Sequence, residues 1–296
     1  MINTSSFKTR FAPSPTGYLH LGHAASALKI WEQAKQIPEN FLVRIEDIDQ
    51  TRCLSEYERA ILEDLDWLGI KWSTPPRRQS EHFEDYKKLL NFLQSKELLY
   101  PCFCTRKDIE QEIANSPSAP HSSPAHLYPG TCSHISKDQR KELIEKGTPF
   151  ALRLNMKNAI EEISGKILTW TDLTKGDQKT TAEMLMKNHG DIVLARKDTP
   201  ASYHLCVTHD DALQDITHIT RGDDLFESTH IHRLLQELLG YPTPQYNHHP
   251  LTTDKSGRRL AKRDKSLTIR EIRKRGISAN DLKNMILHSN IDQLLI

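Results

Sequence analysis

No run in this 296-residue chain approaches the roughly 18 apolar residues that a membrane-spanning helix needs. The opening MINTSSFKTR also lacks the apolar core of a secretory signal. With a mean hydropathy of −0.60, these absences predict a soluble, cytoplasmic protein without a membrane partner. Cysteine is scarce and odd in number, at five, so a disulfide framework is not the organising device. No internal repeat is visible, and net charge is almost missing at +1. That near-zero sum hides an asymmetry, because residues 255–275 hold ten Lys/Arg against two acids, a local +8 that leaves about −7 elsewhere. A block of that sign suits a polyanion, either ATP phosphates or a nucleic-acid backbone; a solvated basic face is the plainer reading.

What is present is an alternation of strand and helix. KTRFA and FLVRIE (41–46) read as strands. Between them, residues 21–35 read as a helix with Leu21, Ala24, Ala25, Leu28, Trp31 and Ala34 on one face. LSEYERAILEDLDWLG follows as a second helix, with a capping box expected from Ser55 and Glu58 and a stop at Gly69. Residues 81–95 form a third. The pattern implies an α/β fold with a doubly wound, Rossmann-like parallel sheet. It divides into a first catalytic half (1–99), an insertion (100–185), a second catalytic half (186–250) and a basic loop with a short helical tail (251–296). Within the insertion, Thr105 and Asp108 predict a helix cap, FALRLNM and KILTWTDL predict strands, and SPSAPHSSPAH predicts a loop. DIVLARK and SYHLCVTHDDAL read as β-prone text. RGDDLFESTHIHRLLQELLG reads as a helix stopped by Gly240, TTDKSGRRLA looks like a hairpin, and two tail helices are capped by Thr268 with Glu271 and Ser278 with Asp281.

In open α/β sheets, ligands bind beyond the C-terminal strand ends, where loops enter helices. SPTGYLHLGH stands at such a place. Gly17 and Gly22 allow backbone to approach a ligand, and the helix start at Leu21–Ala24 favours negative charge. His20 and His23, three apart, project from one side of the first turn. Two such donors suit a triphosphate, each contributing about 3 kcal/mol when preorganised; an isolated H-x-G-H more often marks two exposed or capping histidines.

The stretch RFAPSPTGYLHLGH resembles the HIGH-type turn of class I aminoacyl-tRNA synthetases in the form used by the glutamyl branch. RIEDID resembles that branch's acidic strand end, RGDDL its second amino-acid-binding segment, and GRRLAKRD a degraded mobile KMSKS loop. The resemblance implies ATP, carrying Mg2+, at His20, Gly22, His23 and Lys262. His20, His23 and Lys262 would serve catalysis by stabilising phosphate charge. It also implies L-glutamate at Arg10, Phe11, Ala12, Pro13, Ser14, Glu46, Tyr203 and Arg221. The charges agree: glutamate's ammonium and two carboxylates need one anion and at least two cations, which Glu46, Arg10 and Arg221 supply. Arg10 could instead pair with Asp47, and Tyr203 could be a core wedge. The loop departs from the family pattern at Arg259, Ala261 and Arg263, which predicts slower activation or greater reliance on Lys262.

Cys102-x-Cys104 and Tyr128-x-x-x-Cys132 converge in the manner of one structural zinc site. Coordination chemistry alone favours His134 as fourth ligand over a phenol with a pKa of about 10. YPGTC, however, resembles the metal segment of a small synthetase-like family in which the tyrosine is the ligand, and this implies Tyr128. Cys53 and Cys206 read as core residues. The chain stops 34 residues after Lys262, short of another domain. With the tyrosine segment and the altered loop, this resembles the glutamyl-queuosine tRNA(Asp) synthetase family. That resemblance implies a monomeric ligase that activates glutamate without RNA and attaches it to queuosine in the anticodon stem-loop of tRNA(Asp). A shortened glutamyl-tRNA synthetase and a non-enzymatic nucleic-acid-binding paralogue are the competing readings. A nucleotidyltransferase would leave Arg10, Glu46 and Arg221 unexplained.

Overall fold

The computed structural model describes residues 7–115, 127–251 and 267–287. β1 (Thr9–Phe11) and β2 (Phe41–Ile45) are buried along their whole length, as strands covered on both faces must be, and they pair in parallel from Thr9 beside Phe41 to Phe11 beside Val43. The crossover between them is α1 (Leu21–Gln33), which buries Leu21, Ala24, Leu28 and Trp31 at helical spacing. α2 (Ser55–Trp67) follows β2, and β3 (Arg77–Arg78) extends the sheet in parallel beside Arg44 and Ile45. The capping box expected at Ser55 does not form: Leu54 is the N-cap, and Glu58 instead accepts a 2.7 Å bond from Arg78 Nε.

After α3 (Phe83–Ser95) come β4 (Leu99–Cys102), α4 (Arg106–Asn115), α5 (Lys137–Glu145), β5 (Ala151–Leu154), α6 (Met156–Glu162), β6 (Leu168–Asp172), β7 (Gly176–Thr180), α7 (Ala182–Asn188) and β8 (Val193–Ala195). The Thr105–Asp108 cap forms as expected, with both reciprocal backbone bonds. β4, β5 and β8 make a separate antiparallel sheet. The insertion and the second half therefore interleave: β8 lies past the expected boundary at residue 186 yet pairs with β5, whereas β6 lies before it yet joins the main sheet through β10.

α8 (Tyr203–Leu213), β9 (His218–Gly222), α9 (Ser228–Leu239) and β10 (Gln245–His249) complete the catalytic half. SYHLCVTHDDAL is thus a helix, not β-structure. Its buried residues include Cys206 with Asp210 and Val207 with Asp211, pairs one helical turn apart, and burial of those aspartates is offset by arginines from other elements. β9 and β10 run parallel in full register, β10 pairs in parallel with β6, and β6 with β7 forms an antiparallel hairpin. The Lys8 carbonyl accepts from the Thr217 and His218 N–H groups at 2.9 and 3.1 Å, which brings β9 beside β1. The parallel strands then run β3-β2-β1 and outward again as β9-β10-β6, and the direction of winding reverses between β1 and β9. A ligand crevice is expected at such a switch point.

The tail returns as α10 (Ile269–Lys274), with its Thr268–Glu271 cap formed, and α11 (Ala279–Leu287). Ile269, Ile272 and Leu282 pack into the same core as α1, β1 and β2. Thr268 bridges His20, and the Ile269 N–H donates to the Leu19 carbonyl at 2.9 Å, so the tail docks on the turn that opens α1. The expected loop at 116–126 and hairpin at 252–261 lie outside the described residues, as does Lys262. Among the described residues, no helix is long and apolar enough to cross a membrane.

Candidate active site

At the switch point lies a cleft of about 460 Å³. Arg10, Phe11, Ala12, Pro13 and Ser14 line it from the end of β1, Glu46 from the end of β2, Tyr203 from the start of α8, Arg221 and Gly222 from the end of β9, and His23 from α1. The geometry brings together all eight residues assigned to the amino acid. The Pro13 carbonyl accepts the Glu46 N–H at 3.1 Å, tying the two strand ends to each other. At Gly222 a Cβ would lie 2.6 Å from Asp224 Oδ1 and 2.8 Å from Leu251 Cδ2, so any larger residue in this wall would have to displace those side-chain ends.

Arg10 does not pair with Asp47, whose carboxylate accepts from the Ser80 N–H and hydroxyl at 2.9 and 2.5 Å. Arg10 Nε instead donates to Asp211 Oδ1 at 2.9 Å, and Arg44 Nη2 donates to the same oxygen at 2.6 Å. Arg77 Nε reaches Asp210 Oδ1 at 3.0 Å. Burial would raise the Asp211 pKa, but Arg10 and Arg44 outweigh it and hold the carboxyl below its ordinary range. Tyr203 is half-buried in the cleft wall rather than a core wedge.

Glu46 differs from these aspartates. Among the described residues its carboxylate makes no hydrogen bond, and burial pushes its pKa up to about 7 against the pull of Arg44 and Arg10. Arg221 is the complementary case: it is buried, and no carboxylate pairs with it among the described residues. Its Nε donates to His248 Nε2 at 3.0 Å, Nη1 to His232 Nδ1 at 3.2 Å and Nη2 to Thr229 Oγ1 at 2.7 Å. Arginine can only donate, so both imidazoles must accept at those nitrogens. The His248 proton then sits on Nδ1, 2.6 Å from Asp172 Oδ2, and the His232 proton sits on Nε2, 3.1 Å from His204 Nδ1. Burial beside Arg221 lowers the His248 and His204 pKa values to about 4, so both are neutral at pH 7. The cleft thus holds a carboxyl group and a guanidinium that make no ion pair among the described residues, the two features an amino acid's ammonium and carboxylate require.

His20 is the N-cap of α1. Its Nδ1 accepts from the Gly22 N–H at 3.1 Å, and His23 Nδ1 accepts from the His20 N–H at 3.3 Å. Backbone N–H groups only donate, so each neutral ring carries its proton on Nε2. The rings lie 3.8 Å apart at an angle of 32°, at the positive end of a 13-residue helix. Capping and presenting a donor are compatible here, because they use opposite nitrogens. Both flanks of the 252–266 segment reach this neighbourhood, through His249 Nε2 to Ser26 Oγ at 3.1 Å and through Thr268 at His20.

The Cys102, Cys104 and Cys132 sulfurs lie within 4.8 Å of one another. Tyr128 Oη is 3.4 Å from Cys102 Sγ and 3.6 Å from Cys104 Sγ, and Cys104 Sγ is 3.4 Å from Cys132 Sγ. A tetrahedral zinc with bonds of about 2.3 Å to sulfur and about 2.0 Å to oxygen needs S···S and S···O separations of about 3.8 and 3.5 Å, so the four donors fit that ion. His134 is exposed and outside the thiol cluster. Cys206 is buried in the core, whereas Cys53 is half-buried and its thiol lies 4.0 Å from the Glu46 carbonyl.

Sequence reasoning missed the supporting layer: Arg44, Asp210, Asp211, Asp172, Thr229, His232 and His248. The only local trace of them is the adjacent Asp210–Asp211 and His248–His249 pairs, which sequence alone does not mark as buried.

Comparison with known proteins places this geometry. The family model for tRNA synthetases class I (E and Q), catalytic domain, matches residues 6–291. The chain is 42% identical over 280 residues to the glutamyl-Q tRNA(Asp) synthetase of Rhodobacter capsulatus, covering 94% of this chain and 99% of that protein. It is 36% identical over 282 residues to the glutamate–tRNA ligase of Aquifex aeolicus, covering 95% of this chain but 57% of the ligase. The solved structure of a glutamate tRNA ligase from Elizabethkingia meningosepticum, in complex with its amino acid, is similar with a TM-score of 0.72 at 30% identity, over 87% of this chain and 52% of that one. The chain therefore spans little more than half the length of the ligases it matches.

Proposed function

The chain belongs to the class I tRNA synthetases of the E and Q branch, in their catalytic domain, and on that premise we propose that it activates L-glutamate with ATP in the absence of RNA and transfers it to the queuosine base in the anticodon of tRNA(Asp). The observation that carries the first half is the pair of unmatched charges in the cleft. Glutamate's ammonium sits against Glu46, and its two carboxylates take Arg221 and Arg10. Glutamine lacks the second carboxylate and leaves an arginine uncompensated, which selects against it.

ATP lies with its phosphates at the start of α1. Mg2+ would accompany the ATP phosphates and offset their charge. In the first step an oxygen of the α-carboxylate bonds to the α-phosphorus as the bond from that phosphorus to pyrophosphate breaks, and pyrophosphate leaves with the electron pair. The Nε2 protons of His20 and His23 and the Lys262 ammonium stabilise the charge on the phosphates; no side chain acts as nucleophile. In the second step a hydroxyl oxygen of the queuosine ring bonds to the adenylate's carbonyl carbon, the bond to AMP breaks, and AMP's phosphate takes the proton. The queuosine assignment is supported by 42% identity across 99% of the Rhodobacter protein. Cys102, Cys104, Tyr128 and Cys132 would hold one structural zinc, tying β4 to the 128–132 segment. The basic residues after 254 would meet the RNA backbone.

Glutamate-dependent ATP–pyrophosphate exchange without RNA tests the activation step. Exchange with glutamate and not with glutamine is expected; a requirement for RNA would overturn this reading.

A further inference from the structure

A second cavity of about 360 Å³ shares Tyr203 with the glutamate cleft, and its other walls include Tyr128, Arg153, His189, Ser202 and His204. Three polar atoms of those walls are buried without a hydrogen-bond partner: Arg153 Nε, His189 Nε2 and Ser202 Oγ. Ser202 is only 5% and Arg153 only 8% exposed. Ser202 is the more telling. It is the N-cap of α8, where a serine hydroxyl ordinarily accepts a backbone N–H, yet it makes no such bond. Unpaired buried groups of this kind are uncommon, and three around one cavity call for a ligand. The remaining carboxylate in the walls, Asp191, is already engaged by the Met156 N–H at 2.8 Å and the Tyr100 hydroxyl at 2.5 Å. With Arg196 also in the walls, the cavity disfavours a cation and asks for an oxygen-rich group. A guanidinium N–H, a hydroxyl and an imidazole nitrogen together match adjacent hydroxyls, each of which both donates and accepts.

We propose that this cavity binds the hydroxylated five-membered ring that receives the glutamyl group, by its vicinal diol. The proposal rests on the two-step reading above. Tyr203 lines both spaces, so a diol held there adjoins the adenylate. A diol oxygen bonds to the adenylate carbonyl carbon, that carbon's bond to AMP breaks, and the hydroxyl proton passes to the AMP phosphate. The cyclopentene ring of queuosine and the terminal ribose of a tRNA share this chemistry.

The test uses the full chain carrying Ser202→Ala, Ser202→Thr, and Ser202→Ala combined with His189→Gln. Pyrophosphate exchange without RNA reports folding and the first step. Transfer of labelled glutamate to queuosine-containing tRNA(Asp) and to tRNA(Glu), and calorimetric titration with free queuosine and adenosine nucleosides, report the cavity. Exchange within about twofold of wild type, transfer lowered roughly tenfold in the double variant, and recovery in Ser202→Thr are expected. Weakened nucleoside binding or transfer in Ser202→Ala supports the cavity whichever RNA is charged; charging of tRNA(Glu) alone would sink the queuosine reading but not this one. Unchanged transfer and binding in the double variant overturn it, as does a wild-type protein that neither binds a nucleoside nor transfers glutamate.

Discussion

Replacing Glu46 with glutamine should make the protein more stable and less active at once. The carboxylate sits at the end of β2, half-buried, without a hydrogen bond among the described residues, and burial raises its pKa from 4.5 to about 7. A folded-state value above the unfolded one means stability that is full below pH 4.5 and is lost as the pH rises through about 7. The shift sets an upper bound of about 3 kcal/mol, and partial solvent access reduces this to about 1–2 kcal/mol. At pH 8 Glu46→Gln removes that penalty, so the melting temperature of the ligand-free protein should rise by about 2–4 °C. At pH 5, where Glu46 is mostly protonated, the difference should shrink towards zero. The same change removes the ammonium's charged partner, which is worth about 1.5–3 kcal/mol, so KM for glutamate in pyrophosphate exchange should rise about 10- to 100-fold. In the wild type that KM should climb about tenfold per pH unit below 7, a dependence the variant lacks. A variant that melts lower at pH 8, or that keeps its KM within twofold, would refute the claim that Glu46 is buried to meet a ligand's ammonium.

Lys262→Ala should lower pyrophosphate exchange at least about tenfold with little change in KM for glutamate; near-normal exchange would remove Lys262 from the first step. His248 positions Arg221 through the proton that it gives to Asp172. His248→Ala should therefore raise KM for glutamate about tenfold, leave KM for ATP nearly unchanged and be partly rescued by added imidazole; equal loss in both KM values without rescue would indicate simple misfolding. Protein purified with zinc should carry about one ion per chain by elemental analysis, Cys104→Ala should carry little, and a chelator should lower the melting temperature. A fully folded protein that takes up no zinc would refute the metal assignment.

The parts of the site legible in sequence are those set by short, local patterns. RFAPS, the H-x-G-H turn and the strand end at Glu46 each lie within one segment, and the α/β alternation placed them at strand ends, where the cleft is found. The layer beneath was not legible, because its bonds are long-range: Arg10 and Asp211 lie 201 residues apart, and Asp172 and His248 lie 76 apart. Nothing within one segment marks such an aspartate as buried. SYHLCVTHDDAL, read as β-prone, is a helix whose Asp210 and Asp211 are neutralised inside the fold by Arg77 and Arg44, partners that local sequence does not name. In the thiol cluster, spacing pointed to the cysteines, but coordination chemistry alone favoured His134. Only the fold sets the Tyr128 hydroxyl 3.4 Å from Cys102 Sγ while leaving His134 exposed. The interleaving of β6 and β8 was equally hidden, since strand pairing depends on partners that composition does not name.

The most direct test of the central claim is to locate the glutamate on the RNA. Fully modified tRNA(Asp), and the same RNA lacking queuosine, are incubated with the protein, ATP and labelled glutamate, then cut with a guanosine-specific ribonuclease. The account predicts label in the anticodon fragment of the queuosine-containing RNA and none in the RNA without it. Label on the 3′-terminal fragment, or labelling indifferent to queuosine, would contradict it.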